Sequence, residues 1–377
     1  MQKIFLFFFI WRIGLFLVAF ISPVIIPQFG ARFPYYQERL IASGLPHFIW
    51  SFGNFDGVHY LGIAQHGYAY QFTQAFFPLY PLLIKFVSLL TFGNFLIAGL
   101  LISNAAFFLG LIVFYRLVNK YHDEKIAFWS CLFLLAFPTS FYFGAIYTEG
   151  LFFLMIISAF FLFDKNKIWL ASIIGLFASL TRLIGIFLAP SLVSGKKVRS
   201  LIPLLIVPLG LLIYMFYLKI EFNNPLYFLT SQNVWGQERS TSQIILLPQV
   251  FWRYLKILAT TNGLVFINAA FELITTIFAL SILVVAYKLP RAKSPRCSAS
   301  EYKKVRVQWL TFSFLAVLTP TLTGTLASMP RYILIAFPVY IVLAHIKSDL
   351  IKSVILFFFI VTLVIATALF TRGYWIA

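Results

Sequence analysis

The chain has 377 residues, of which 61% are hydrophobic and only 11% charged, with a formal net charge of +18. A soluble domain is about one-quarter charged, so the composition excludes a soluble enzyme and points to an all-α protein that crosses the bilayer many times. On a soluble chain the positive surplus would suggest nucleic acid; here it concerns which side of the membrane the cations occupy, and no nucleic-acid partner is expected.

The first predicted element is a membrane span at residues 4–26. Its start mimics a signal peptide, but the apolar run is too long for an h-region and lacks a small-x-small cleavage site. A first loop, residues 27–93, follows. Within it residues 52–81 form the longest window rich in polar and turn residues. Asp56 is its one carboxylate. If Asp56 opens a helical turn, His59 and Tyr60 lie over the same face, which Ile63 and His66 continue. Pro78 and Pro81 limit where a helix can run. Residues 76–92 are apolar but interrupted by proline, and read as an interfacial or re-entrant piece.

Ten further spans are predicted at roughly 94–118, 126–146, 149–164, 168–181, 183–195, 200–220, 266–288, 305–327, 332–346 and 351–371, which makes about eleven in a single membrane domain, 1–377. The pieces 168–181 and 183–195 are short for a crossing of about 20 residues and read equally well as a broken pair. A second long loop occupies 221–265. Cys131 lies in an apolar run and Cys297 in a basic loop, so no framework disulfide is expected.

The Lys and Arg distribution orients this layout. With the N-terminus inside, eighteen of the 29 cations fall on the cytoplasmic side, seven of them between Lys288 and Arg306. That choice puts Asp56, Glu149, Arg182, the 221–265 loop and Arg331 together on the outer side.

A carboxylate at a membrane surface suits a general base toward a hydroxyl, although Asp also caps helices. His59 and His66 are weighed as metal ligands and set aside, because a seven-residue spacing is no recognised metal signature. Glu149, at a margin between apolar runs, suits a cavity or an ion pair, or help at a helix N-terminus. Arg182 and Arg331 suit phosphate contact, or snorkelling to headgroups. Glu272, inside a span, is a candidate partner for either arginine. Trp235, in a loop of aromatic and amide residues, suits a sugar ring or the membrane interface alike. No Gly-rich phosphate loop, CxxC pair or HExxH is present.

DGVHYLGIAQHGY followed by AFFPLYPLL resembles the first-loop signature of the PIG-V family, the second mannosyltransferase of GPI-anchor assembly and its prokaryotic relatives. PTSFYFGAIYTEGLFFL, SLTRLIGIFLAP, NPLYFLTSQNVWGQ and SMPRYILIAFP follow in the family's order, so the resemblance covers roughly residues 50–340. Two departures stand out: Phe55 replaces the family's usual Trp before the loop Asp, and the chain is shorter than eukaryotic members, which points to a prokaryotic relative in a cell membrane rather than an endoplasmic reticulum enzyme. The resemblance implies the multi-spanning GT-C glycosyltransferase fold and an inverting transfer, with mannose the expected sugar. It implies a polyprenyl-phosphate donor at the extracytoplasmic face, with Asp56 as base. His59, Tyr60, His66, Glu149, Arg182, Trp235 and Arg331 are the expected substrate-binding set. A lipid-linked donor needs no nucleotide domain, and no cofactor is expected. The acceptor is a glycan, a glycolipid or a protein, and membrane lipids are partners. The competing reading is a lipid-linked sugar transporter or flippase, which also uses intramembrane Glu and Arg but commonly shows repeated halves with paired broken helices.

Overall fold

The computed structural model describes residues 2–193, 198–235, 239–240, 243–288 and 298–376, the side chains of 198–200 excepted. Cys297 and most of the basic loop around it lie outside the described residues, as do Lys196 and Lys197.

Among the described residues the structure is helical, without strands. Helix α1, Gln2–Ile25, shows why. Ile4, Phe8, Trp11, Leu15 and Ala19 recur at helical spacing and are buried, while Phe9, Ile10, Ile13 and Leu17 face outward. An apolar helix whose outer face is also apolar suits lipid rather than water. Helix α2, Asp56–His66, lies in the first loop, and α3, Leu79–Ser88, starts just after Pro78. Four more follow: α4, Phe95–Tyr121; α5, Glu124–Ala136; α6, Glu149–Asp164; and α7, Ile168–Thr181. Then come α8, Leu209–Phe222; α9, Leu247–Thr260; α10, Gly263–Lys288; α11, Ala299–Thr321; and α12, Asp349–Thr371. Polar side chains cap the helices that emerge from turns: Asn94 accepts from Ile97 N at 2.9 Å and Asp123 from Ile126 N at 2.7 Å. Each satisfies a backbone donor that the helix itself leaves open.

Among the described residues five helices are long and apolar enough to cross a membrane: Gln2–Ile25, Phe95–Tyr121, Leu201–Phe222, Gly263–Lys288 and Asp349–Thr371. Several expected spans are instead divided. The segment at 126–146 is helical only to Ala136, where Pro138 follows, and resumes as a 3-10 turn at Ser140–Gly144. The segment at 332–346 breaks into Met329–Tyr332, Ile333–Ile335 and Pro338–Ala344. Residues 183–192 likewise form a 3-10 turn running into a short helix. These divided pieces are largely buried in protein, where broken backbone is tolerated at membrane depth.

The helices have two chemically distinct ends. At one, Lys120 of α4 pairs with Asp164 of α6 at 2.7 Å and with Glu301 of α11 at 3.4 Å, and Lys125 pairs with Asp349 at 2.8 Å. At the other end of α6, about 24 Å away for 16 residues, stands Glu149. Glu272 of α10 does not pair with an arginine among the described residues: it accepts from the Tyr254 hydroxyl at 2.5 Å.

Candidate active site

The loop ahead of α2 is fixed from both sides. Phe52 O accepts from Ile146 N at 2.9 Å. The Asn54 side chain donates to Phe370 O at 2.8 Å. The Tyr147 hydroxyl donates to Asn54 O at 3.0 Å and accepts from Asp56 N at 3.3 Å. Between these anchors Phe55 adopts φ 58° and ψ −115°. A positive φ is unusual for a bulky residue and persists only where the surroundings enforce it. The kink turns the chain directly into α2, with Asp56 at its first position.

A net of charges crosses from that point. Arg331 Nη1 lies 2.7 Å from Asp56 Oδ2, and its Nε lies 3.2 Å from Glu149 Oε1, close enough for an ion pair but not aligned as a hydrogen bond. Arg182 Nη1 donates to the same Glu149 oxygen at 2.5 Å and reaches the Thr148 hydroxyl at 3.4 Å. The Glu149 side chain is 1% exposed and the Asp56 side chain 22%. Glu149 is thus a buried tie between two guanidiniums, whereas Asp56 keeps an open side. Oδ2 of Asp56 is engaged; no side chain among the described residues bonds Oδ1.

These groups border a cavity of about 260 Å³. Its wall includes Asp56, Tyr60, Arg182, Trp235, Arg239 and Arg331. Tyr332 also lines it, and the guanidiniums of Arg182, Arg239 and Arg331 stand 5.2, 5.6 and 5.5 Å from the Tyr332 ring centre. Arg239 Nη2 donates to the Tyr332 hydroxyl at 2.9 Å and to Ala327 O at 3.2 Å.

Of the residues singled out in the sequence, Asp56, Tyr60, Arg182, Trp235 and Arg331 reach the cavity, with Glu149 directly behind it. His59 stands one layer back. Its ring stacks on Phe76 at 5.2 Å and meets Trp235 edge-on at 4.5 Å. Burial pushes its pKa down to about 4, Arg39 acts the same way, and Asp56 opposes both. His66 is not brought to the cavity; it is exposed at the end of α2, beside Tyr70. Among the described residues no three His, Cys, Asp or Glu side chains gather as metal ligands. Sequence reasoning missed Arg239 and Tyr332. Arg239 lies four residues after Trp235 in the same loop, and that proximity was the one available signal.

The all-helical bundle has a GT-C-like fold. The solved structure of ArnT from Cupriavidus metallidurans, bound to undecaprenyl phosphate, superposes with a TM-score of 0.56 over 95% of this chain and 62% of its own, at 13% identity. The family model described as mannosyltransferase (PIG-V) matches residues 2–189. The chain belongs to the PIG-V mannosyltransferase family, on the strength of that N-terminal half, which carries Asp56, Glu149 and Arg182. GPI mannosyltransferase 2 of Drosophila pseudoobscura pseudoobscura is 30% identical over 33% of this chain. GPI alpha-1,6-mannosyltransferase 2 of Homo sapiens is 28% identical over 37%. The chain spans only 29% of the length of each of these two relatives.

Proposed function

We propose that the protein is an inverting mannosyltransferase that moves mannose from a polyprenyl-phosphate donor to an acceptor hydroxyl, at the extracytoplasmic face. The observation that carries the reading is Asp56: a carboxylate with one oxygen held by Arg331 and the other open to a cavity that guanidiniums line. Asp56 Oδ1 takes the proton of the acceptor hydroxyl. The acceptor oxygen attacks the anomeric carbon from the face opposite the phosphate. The bond from that carbon to the phosphate oxygen breaks, and its electron pair leaves with the polyprenyl phosphate. A guanidinium of the cavity wall offsets the charge that grows on the leaving group. The loops 27–93 and 221–265 wall the site within one membrane domain, with the sugar ring against Trp235. The acceptor is a glycan, a glycolipid or a protein. The likeness to a structure solved with undecaprenyl phosphate supports a lipid-linked donor.

The test is to incubate purified protein with polyprenyl-phosphate-mannose and a membrane or glycan extract, and to identify the product by mass spectrometry. Asp56→Asn keeps the shape and an oxygen for Arg331, but it gives up the charge of that ion pair and cannot take the proton. Its turnover should fall by about two to four orders of magnitude, with donor binding kept. Near-normal turnover by correctly inserted Asp56→Asn protein would remove Asp56 from the chemistry.

A further inference from the structure

We propose that Arg239 is the residue that holds the donor phosphate, and that Arg182 and Arg331 instead fix the two carboxylates. This rests on the glycosyl-transfer reading above. Arg182 spends its Nη1 on Glu149 and Thr148, and Arg331 is shared between Asp56 and Glu149. Two carboxylates neutralise two guanidiniums, and both arginines are held where they stand.

Arg239 differs. Its Nη2 bonds only neutral oxygens, those of Tyr332 and Ala327, and its Nε and Nη1 take no partner among the described residues. Glu272, a neighbouring carboxylate, accepts from Tyr254 and lies beyond ion-pair distance of any cation among the described residues. Among the described residues Arg239 is therefore the one of the three cavity guanidiniums that makes no ion pair, with Glu272 acting on it only through space. It is also anchored: the next residue, Ser240, donates its backbone N to Thr323 O at 2.8 Å. The Tyr332 ring shared by all three guanidiniums keeps Arg239 beside the Asp56 net.

The charge balance of the reaction requires such a group. A sugar-phosphate-lipid diester carries about one negative charge, and the monoester that leaves carries about −1.5 to −2 near neutral pH. A cation already neutralised by a carboxylate offers little to that increment. A guanidinium that makes no ion pair among the described residues offers more.

The experiment measures binding of two probes to the full-length protein in detergent: citronellyl phosphate, a short polyprenyl-like phosphate, and citronellol, its uncharged alcohol. Arg239→Gln should weaken citronellyl phosphate by about 10- to 100-fold, as loss of a charge-assisted hydrogen bond does, and leave citronellol unchanged. Arg182→Lys, which keeps a cation on Glu149, should leave the phosphate probe near its wild-type affinity. Inorganic phosphate should compete more weakly than citronellyl phosphate; the reverse order would overturn the lipid source. Wild-type phosphate affinity in Arg239→Gln overturns the assignment, as does a selective loss in Arg182→Lys with none in Arg239→Gln. If the Gln variant no longer binds citronellol, Arg239→Lys decides. Intermediate phosphate binding with citronellol binding kept supports the assignment, and unchanged phosphate affinity overturns it. No turnover is needed, so a protein that binds phosphate through Arg239 yet transfers no mannose would fail the functional reading alone.

Discussion

His59 sits in an aromatic box of Phe76, Trp235 and Tyr35, and its Nδ1 takes no partner among the described residues. Its folded pKa, about 4, lies below the ordinary 6.5. Between those values the unfolded chain binds a proton that the folded chain refuses. The stability tied to neutral His59 is therefore fully present above about pH 6.5 and is lost as pH falls toward 4. Melting temperatures at pH 7 and pH 5 should show a larger drop for the wild type than for His59→Phe. Equal drops would place the acid sensitivity elsewhere. Asp56, Glu149, Arg182 and Arg331 were legible in the sequence because a charge in an apolar chain is conspicuous. Arg239 was not, because it stands in a loop where polar residues are ordinary, and one tyrosine among 19 gives no signal. Pairing was hidden as well: nothing local says that Glu149 ties two arginines together while Glu272 turns to Tyr254.

Helix α6 must approach α4 closely to carry Glu149 to the net. Gly150 makes that approach: a Cβ there would lie 2.6 Å from Ser103 O and 2.8 Å from Phe143 O, both backbone atoms that cannot swing aside. Gly150→Ala should therefore destabilise the protein by about 1–3 kcal/mol, as overpacking does, and lower activity by displacing Glu149. Thermal unfolding in detergent measures the first effect and a turnover assay the second; an unchanged melting temperature would mean the two helices part freely. Helix type was legible from long apolar runs, and the division seen over 168–192 was one of the two readings its short pieces left open. The divisions near Pro138 and Pro338 were not resolved into breaks, since hydropathy averages over a window and does not register a 3-10 turn inside it.

Across the whole molecule, the Lys120–Asp164–Glu301 cluster and the Asp56–Arg331–Glu149 net occupy opposite helix ends, so labelling one end fixes the orientation of the other. In a background with Cys131 and Cys297 replaced by Ser, an impermeant maleimide applied outside should modify Gln71→Cys and spare Lys167→Cys. The opposite pattern would move the site to the cytoplasmic face and end the mechanism proposed for it. The arrangement also bears on how the protein is made. Arg331 follows Asp56 by 275 residues, and Phe370, which holds Asn54, is later still. At about 5–20 residues per second, roughly 15 to 55 seconds separate the synthesis of the acid from that of its guanidinium. During that interval the newborn chain carries Asp56 and Glu149 with only part of their counter-charge, and the kinked loop at Phe55 lacks its support. Assembly of the Asp56–Arg331–Glu149 net is therefore a late event in synthesis, and a ribosome that releases the chain before residue 331 leaves Asp56 without its ion-pair partner.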